Sequence, residues 1–176
     1  DQPMIVQKEI GILGIIKNPK NNKYLLQAKV EPGNKNKLQL SPSVQATKSN
    51  FQGIHGGKKV PYLKYFLNNK RANFINQSEQ GFRYLYKYNS NILINVKKKI
   101  NLKHNFFWLS LEELVELIKK KNILNMDTLS VFSSHIKKEI IDEPLNSPKK
   151  IKLWFLKNDN KYYLKIKFIS LSKLKN

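Results

Sequence analysis

Two stretches of this chain gather the side chains best suited to chemistry. Residues 27–51, QAKVEPGNKNKLQLSPSVQATKSNF, and residues 76–91, NQSEQGFRYLYKYNSN, are dense in amides, hydroxyls and cations beside aromatic rings. Amides both donate and accept hydrogen bonds and so match sugar hydroxyls; Lys and Arg match a diphosphate; Tyr and Phe can stack on a base. The functional reading is a pocket for a ligand with many oxygens: a sugar, a base and phosphates. The plainer reading is a pair of polar loops whose amides satisfy backbone groups.

Other chemistries find little support. His55, His104 and His135 stand far apart, and none has a ligand partner two to four residues on, so the histidines do not spell a metal site. Glu112, Glu113 and Glu116 share one helical stretch and read as its solvated face. No glycine-rich phosphate cradle occurs, and GIHGG (53–57) reads as a flexible loop. A Gly-x-Ser-x-Gly elbow is missing as well, which argues against a serine hydrolase.

The net charge of +21, from 33 basic and 12 acidic residues, invites a nucleic-acid or membrane reading. Nearly all of that charge is Lys, however, and the arginines are Arg71 and Arg83 alone. Lys, Asn and Ile are the residues of AT-rich codons, so genome composition accounts for much of the charge. Arg, the bidentate reader of bases and phosphates, is scarce, which weighs against nucleic acid. A positive field still favours an anionic substrate. The chain has no cysteine, no apolar run of membrane-spanning length and no basic-then-apolar N-terminus, so a cytoplasmic setting is expected. Its 176 residues suit one domain with a true core.

Strands are expected at EIGILGII (9–16) and YLLQAKVE (24–31), joined by the turn KNPKNNK, with a shorter one at LQL (38–40). Ser41 and Ser43 are possible starts of a short helix, and VPYLKYFL (60–67) has helical spacing opening at Pro61. Alternation of Phe82, Tyr84 and Tyr86 with Arg83, Leu85 and Lys87 predicts a strand over 81–88, beside NILINV (91–96). SLEELVELIKKK (110–121) is the clearest helix: Ser110 and Glu113 form a capping box, and Leu111, Leu114, Val115 and Ile118 make its stripe. A second helix begins near Asp127 with Leu129, Phe132, Ile136 and Ile140 inward. A C-terminal hairpin around KNDN puts Leu164, Ile166 and Phe168 on one face. Strands first and helices late predict an α+β domain.

The two polar stretches, with WLSLEELVELIKKKNILNMDT (108–128), closely resemble the NDP-hexose 2,3-dehydratases, and the resemblance runs over nearly the whole chain. It implies a Nudix-like fold, a mixed β-sheet flanked by helices, and a subunit of two such repeats. Residues 1–176 would be one repeat, the first, truncated at both ends. The activity implied is loss of water across C2 and C3 of dTDP-4-keto-6-deoxyglucose, giving a 3,4-diketo-2,6-dideoxy sugar for deoxysugar biosynthesis. No cofactor and no metal are implied, because the substrate's own C4 ketone is the electron sink. The partners implied are a second repeat or a homodimer mate and a downstream 3-ketoreductase.

For the base or acid, the resemblance leaves Tyr62, His55, Glu31 and Glu79 as candidates. Glu31 could instead tie the Pro-Gly turn, Glu79 could hold Arg83, and Tyr62 could donate to the C4 oxygen or simply pack. Arg83, Lys87 and Lys48, then Lys29, are the candidates for the diphosphate. Gln27, Asn34, Gln39, Gln45, Thr47, Ser49, Asn50, Gln77, Ser78, Gln80, Asn89 and Asn91 are those for sugar and thymine. Two readings compete: a non-catalytic nucleotide-sugar-binding remnant of the family, and a basic nucleic-acid-binding domain.

Overall fold

The computed structural model describes residues 3–32, 38–52, 59–69, 72–120 and 122–135. The chain divides into two units, Asp1–Ile140 and Ile141–Asn176, and every described residue belongs to the first. The expected C-terminal hairpin, the loop with His55, and Asn34, Ile136 and Ile140 lie outside the described residues.

Strands β1 (Gly11–Asn18) and β2 (Lys23–Val30) form the expected hairpin, because two apolar runs flank a polar Asn- and Pro-containing turn. Their ladder is short: Ile16 faces Leu25, Lys17 faces Tyr24 and Asn18 faces Lys23. Beyond it the strands fork. β3 (Leu38–Pro42) takes over as the partner of β2, and β4 (Val44–Ala46) as the partner of β1. Ser43 sits at the fork, where its hydroxyl accepts from Ile16 N at 3.0 Å and donates to the Leu25 carbonyl. The helix start expected at Ser41 and Ser43 is therefore a bent strand, since the Ser43 hydroxyl bonds two neighbouring strands instead of capping a helix. A five-residue helix, α1 (Lys48–Gln52), follows it.

Among the described residues the sheet has seven strands, β5 (Asn73–Ser78), β6 (Tyr88–Asn95) and β7 (Phe106–Leu109) being the other three. β1 and β6 run parallel, and the other pairings are antiparallel. With short helices α2 (Lys64–Leu67), α3 (Leu111–Lys119) and α4 (Met126–His135), this is the expected mixed α+β fold.

The strand expected over 81–88 is instead a turn leading into β6. Arg83 N and Tyr84 N both donate to the Gln80 carbonyl, and Tyr86 has φ 52°, which breaks an extended run. The strand that pairs with β6 lies upstream, in β5, where Asn76 faces Ser90 and Gln77 faces Asn89.

Each face of the sheet carries a core. One holds Ile16, Leu25, Val44, Ile92 and Ile94 under Phe66 and Phe106. The other holds Leu13, Ile15, Tyr24 and Leu26 under α3 and α4, through Leu114, Val131 and Phe132. The capping box forms as expected, with Ser110 N donating to Glu113 at 2.7 Å and Glu113 N to Ser110 Oγ at 3.2 Å. The buried side of α4 is Thr128, Val131 and Phe132, whereas Leu129 is exposed. Ile118 likewise faces outward. Among the described residues, no helix is long and apolar enough to cross a membrane.

Candidate functional site

Beside α4 the second core gives way to a groove lined by both polar and apolar side chains. Two hollows of about 540 and 520 Å³ adjoin along Glu79, Gln80, Met126, Asp127 and Leu129. The first is bounded also by Glu31, Gln39, the end of α3 with Lys120, and Asn122 and Asn125. The second is bounded by Leu13, Gln77, Ser78, Phe82, Asn89, Asn91, Ser130 and Ser133.

Two of the carboxylates in the groove are held by neighbours, and Asp127 stands in the first turn of a capped helix. Asn89 Nδ2 donates to Glu79 Oε2. A Cβ on Gly11 would stand 2.5 Å from Asn89 Oδ1, so the absence of a side chain at Gly11 is what leaves room for that amide. Glu31 pairs with Lys29 at 3.0 Å and accepts from Gln45 Nε2 at 3.0 Å, and Lys29 Nζ donates to Gln45 Oε1 at 3.3 Å. Asp127 opens α4, whose N-cap is Asn125: its Oδ1 accepts from Thr128 N at 2.9 Å, and its Nδ2 donates to Ser41 Oγ at 3.1 Å. Thr128 Oγ1 then donates to the Leu40 carbonyl at 2.9 Å, tying the helix start to β3.

The electrostatics set Asp127 apart. Burial, and then the negative charges of Glu79 and Glu31, push its carboxyl up to about 6, against weaker pulls from Lys29 and Lys87. For Glu31, burial works in the same direction, but the hydrogen bond and charge of Lys29, with Gln45 and Asn125, outweigh it and lower its pKa. The groove thus pairs a carboxylate held ionised with a carboxyl able to exist in either form near neutrality. Such a division of roles suits acid–base chemistry.

Asn91 forms part of the floor. It is 0% exposed, and its Nδ2 lies within 2.8–2.9 Å of Gln77 Oε1, Ser130 Oγ and Ser134 Oγ. Its Oδ1 is buried without a partner among the described residues. At the far end of α4, His135 Nε2 lies 2.9 Å from the Asn91 carbonyl.

The structure brings Glu31, Gln39, Gln77, Ser78, Glu79, Gln80, Asn89 and Asn91 to the groove, with Lys29 and Gln45 bracing Glu31 behind it. Glu79 is held by Asn89. Lys87 donates to Gln7 and lies 4.6 Å over the Tyr84 ring, near enough for its charge to act on Asp127. Arg83 is exposed, its guanidinium 6.0 Å from the same ring, and its neighbour Phe82 lines the groove.

The remaining candidates stand elsewhere. Thr47 and Ser49 share a 3.0 Å hydrogen bond, and Ser49 also donates to Glu9. Lys48 and Asn50 are exposed on α1, and Gln27 lies in β2 opposite Ser41. Tyr62 packs on Phe106 in the other core, its hydroxyl donating to the Asn101 carbonyl and accepting from Lys103 N, both at 2.9 Å. The sequence reading of site residues omits Asp127, Asn125, Ser130 and Lys120. The one signal for Asp127 is an acid at a helix start, which by itself reads as a favourable end charge.

Among the described residues, no group of three or more His, Asp or Glu side chains is placed to hold a metal. Fold and groove together make a mixed α+β domain with a carboxylate- and amide-lined hollow beside α4. The chain belongs to the NDP-hexose 2,3-dehydratase family, whose model matches residues 1–134. It is 43% identical over 137 residues to a dTDP-4-dehydro-6-deoxy-alpha-D-glucopyranose 2,3-dehydratase of Saccharopolyspora spinosa, covering 75% of this chain and 28% of the relative. Relatives with the same name are 35% identical in Amycolatopsis orientalis (97% of this chain, 37% of the relative) and 34% identical in Streptomyces violaceoruber (88% and 38%). The chain therefore spans 28–38% of the length of these curated relatives.

Proposed function

We propose that the chain is one repeat of a 2,3-dehydratase acting on dTDP-4-keto-6-deoxyglucose in the cytoplasm, completed by a second repeat or a second copy. The observation that carries this reading is the groove lined by both polar stretches, Glu31 and Gln39 from the first and Glu79 and Gln80 from the second.

The chemistry asks little beyond acid–base groups. A base takes the C3 proton, and the C3–H electron pair moves into the C4 carbonyl as an enolate. The electrons then return to expel the C2 hydroxyl, which leaves as water once protonated. The resulting C2–C3 enol tautomerises to the 3,4-diketo-2,6-dideoxy sugar. Electrons are only redistributed within the sugar, and a 3-ketoreductase consumes the reactive diketone. A positioned base or acid contributes roughly 10²–10⁴-fold to such a step.

In this reading Gln77, Gln80 and Asn89 hold sugar hydroxyls, and Lys87 and Arg83 serve the diphosphate from the turn that carries Phe82 to the groove. The test has two stages. Thermal-shift titration with dTDP is expected to show saturable stabilisation that survives moderate salt, whereas a response abolished by salt marks plain charge attraction. Incubation with the 4-keto sugar and a 3-ketoreductase is then expected to yield a 2-deoxy product. Binding without product from a folded dimer would leave a sugar-nucleotide binder and defeat the enzyme.

A further inference from the structure

We infer that Asp127 is the catalytic proton carrier of the groove: it takes the C3 proton and hands it to the departing C2 hydroxyl. This rests on the dehydratase reading and assigns the group which that reading leaves open.

Three observations converge on Asp127. First, it stands where the two hollows adjoin and so borders both halves of the groove. Second, its backbone is anchored: Asn125 caps the helix, and Thr128 bonds the Leu40 carbonyl, so the carboxyl projects from a rigid element. Third, Asn91 lines the second hollow, and its Oδ1 is a buried acceptor without a partner among the described residues. Buried acceptors are nearly always paired, and a sugar hydroxyl supplies the missing donor once the floor adjusts around a bound ligand.

The charged groups around Asp127 fit the role. Glu79, held by Asn89, and Glu31, held by Lys29, are negative neighbours; Lys29 and Lys87 oppose them, and Lys120 closes the end of the groove. Fixed anions make a carboxylate a better base, and they also favour its protonated form once the proton has arrived. The cycle closes on itself. The Asp127 carboxylate forms an O–H bond as the C3–H bond breaks, and the C2–O bond breaks as that proton passes to the leaving oxygen. Water is released, and the carboxylate is restored.

The inference is tested on the full chain in two ways. With dTDP-4-keto-6-deoxyglucose and a 3-ketoreductase, Asp127→Asn is expected to lower product formation by at least about 10²-fold, while stabilisation by dTDP stays intact. Glu79→Gln is expected to move the acid limb of the pH–rate profile to lower pH. Independently of turnover, the Asp127 carboxyl signal in a ¹³C NMR titration, identified by its loss in Asp127→Asn, should titrate at about 6 in the unliganded protein. An Asp127→Asn variant with the wild-type rate, or a carboxyl titrating at an ordinary Asp value of about 4, overturns the assignment and leaves the dehydratase reading standing. Failure of the unsubstituted protein both to bind dTDP and to form product overturns the two together.

Discussion

The two faces of the sheet are built by the same strands from opposite chemistry. On β6, Ile92 and Ile94 point into one core, while Asn89 and Asn91, in alternate positions, point to the groove. The glycines of β1 repeat the contrast. A Cβ on Gly14 would meet the Phe66 ring at 2.3 Å, and one on Gly11 would meet the Asn89 amide at 2.5 Å. One face uses the space for an aromatic ring and closes. The other uses it for an amide that holds a carboxylate. The first face is closed by packing, and the second leaves a groove beside its core.

Substitutions that touch one face at a time separate the two. The largest effect is expected from Phe106→Ala, which removes a buried ring packed at 4.8 Å against Tyr62. A loss of about 3–5 kcal/mol is expected, read as a collapse of the urea midpoint. Retention of most of the stability would mean that the closed face is not the principal core.

Asp127→Asn is expected to move stability the other way. The folded-state pKa is raised, to about 6 from an ordinary 3.8, so the folded protein binds the proton more tightly than the unfolded chain. Stability attributable to this group is greatest below the unfolded value and falls as pH rises to about 6, beyond which the cost is complete. Removing the charge should therefore stabilise the protein by up to roughly 3 kcal/mol at pH 7 and by almost nothing at pH 3. Thermal melts at the two pH values check this. Equal shifts at both would show that the buried charge is not what the groove tolerates.

Local signals made part of this legible. The capping box of α3 is read from Ser110 and Glu113, three residues apart, because both partners lie within one turn. The hairpin of β1 and β2 follows from apolar runs around a polar turn. β5 escapes notice because NFINQS is an edge strand whose Phe74 is 62% exposed, so burial leaves no alternation to see. The aromatic alternation over 82–86 misleads for the opposite reason: Tyr86 is 81% exposed, and its spacing records a turn surface. Asp127 is visible as a helix start, but what shifts its proton affinity is burial first and then Glu79 and Glu31, and only the folded chain supplies these. Ser43 carries a helix-start residue type, while its role depends on two strands that diverge around it.

The glycine pair gives the finest division of the two faces. Gly14→Ala drives a methyl into the Phe66 ring within a packed core, so a destabilisation of about 1–3 kcal/mol is expected, with the pH profile of any groove reaction unchanged. Gly11→Ala meets only the end of an amide side chain, which can swing aside. Its cost is expected to stay below about 1 kcal/mol, since a methyl at a compatible backbone also restricts the unfolded chain. Its mark should fall on the groove instead. With Asn89 displaced, Glu79 loses its donor, its carboxylate is free to move relative to Asp127, and the proton affinity of Asp127 should change. Paired melts and Asp127 titrations on the two alanine variants check the contrast. If Gly11→Ala unfolds the protein as readily as Gly14→Ala and leaves Asp127 unmoved, the amide on Glu79 is packing alone, and the two faces do not differ in kind.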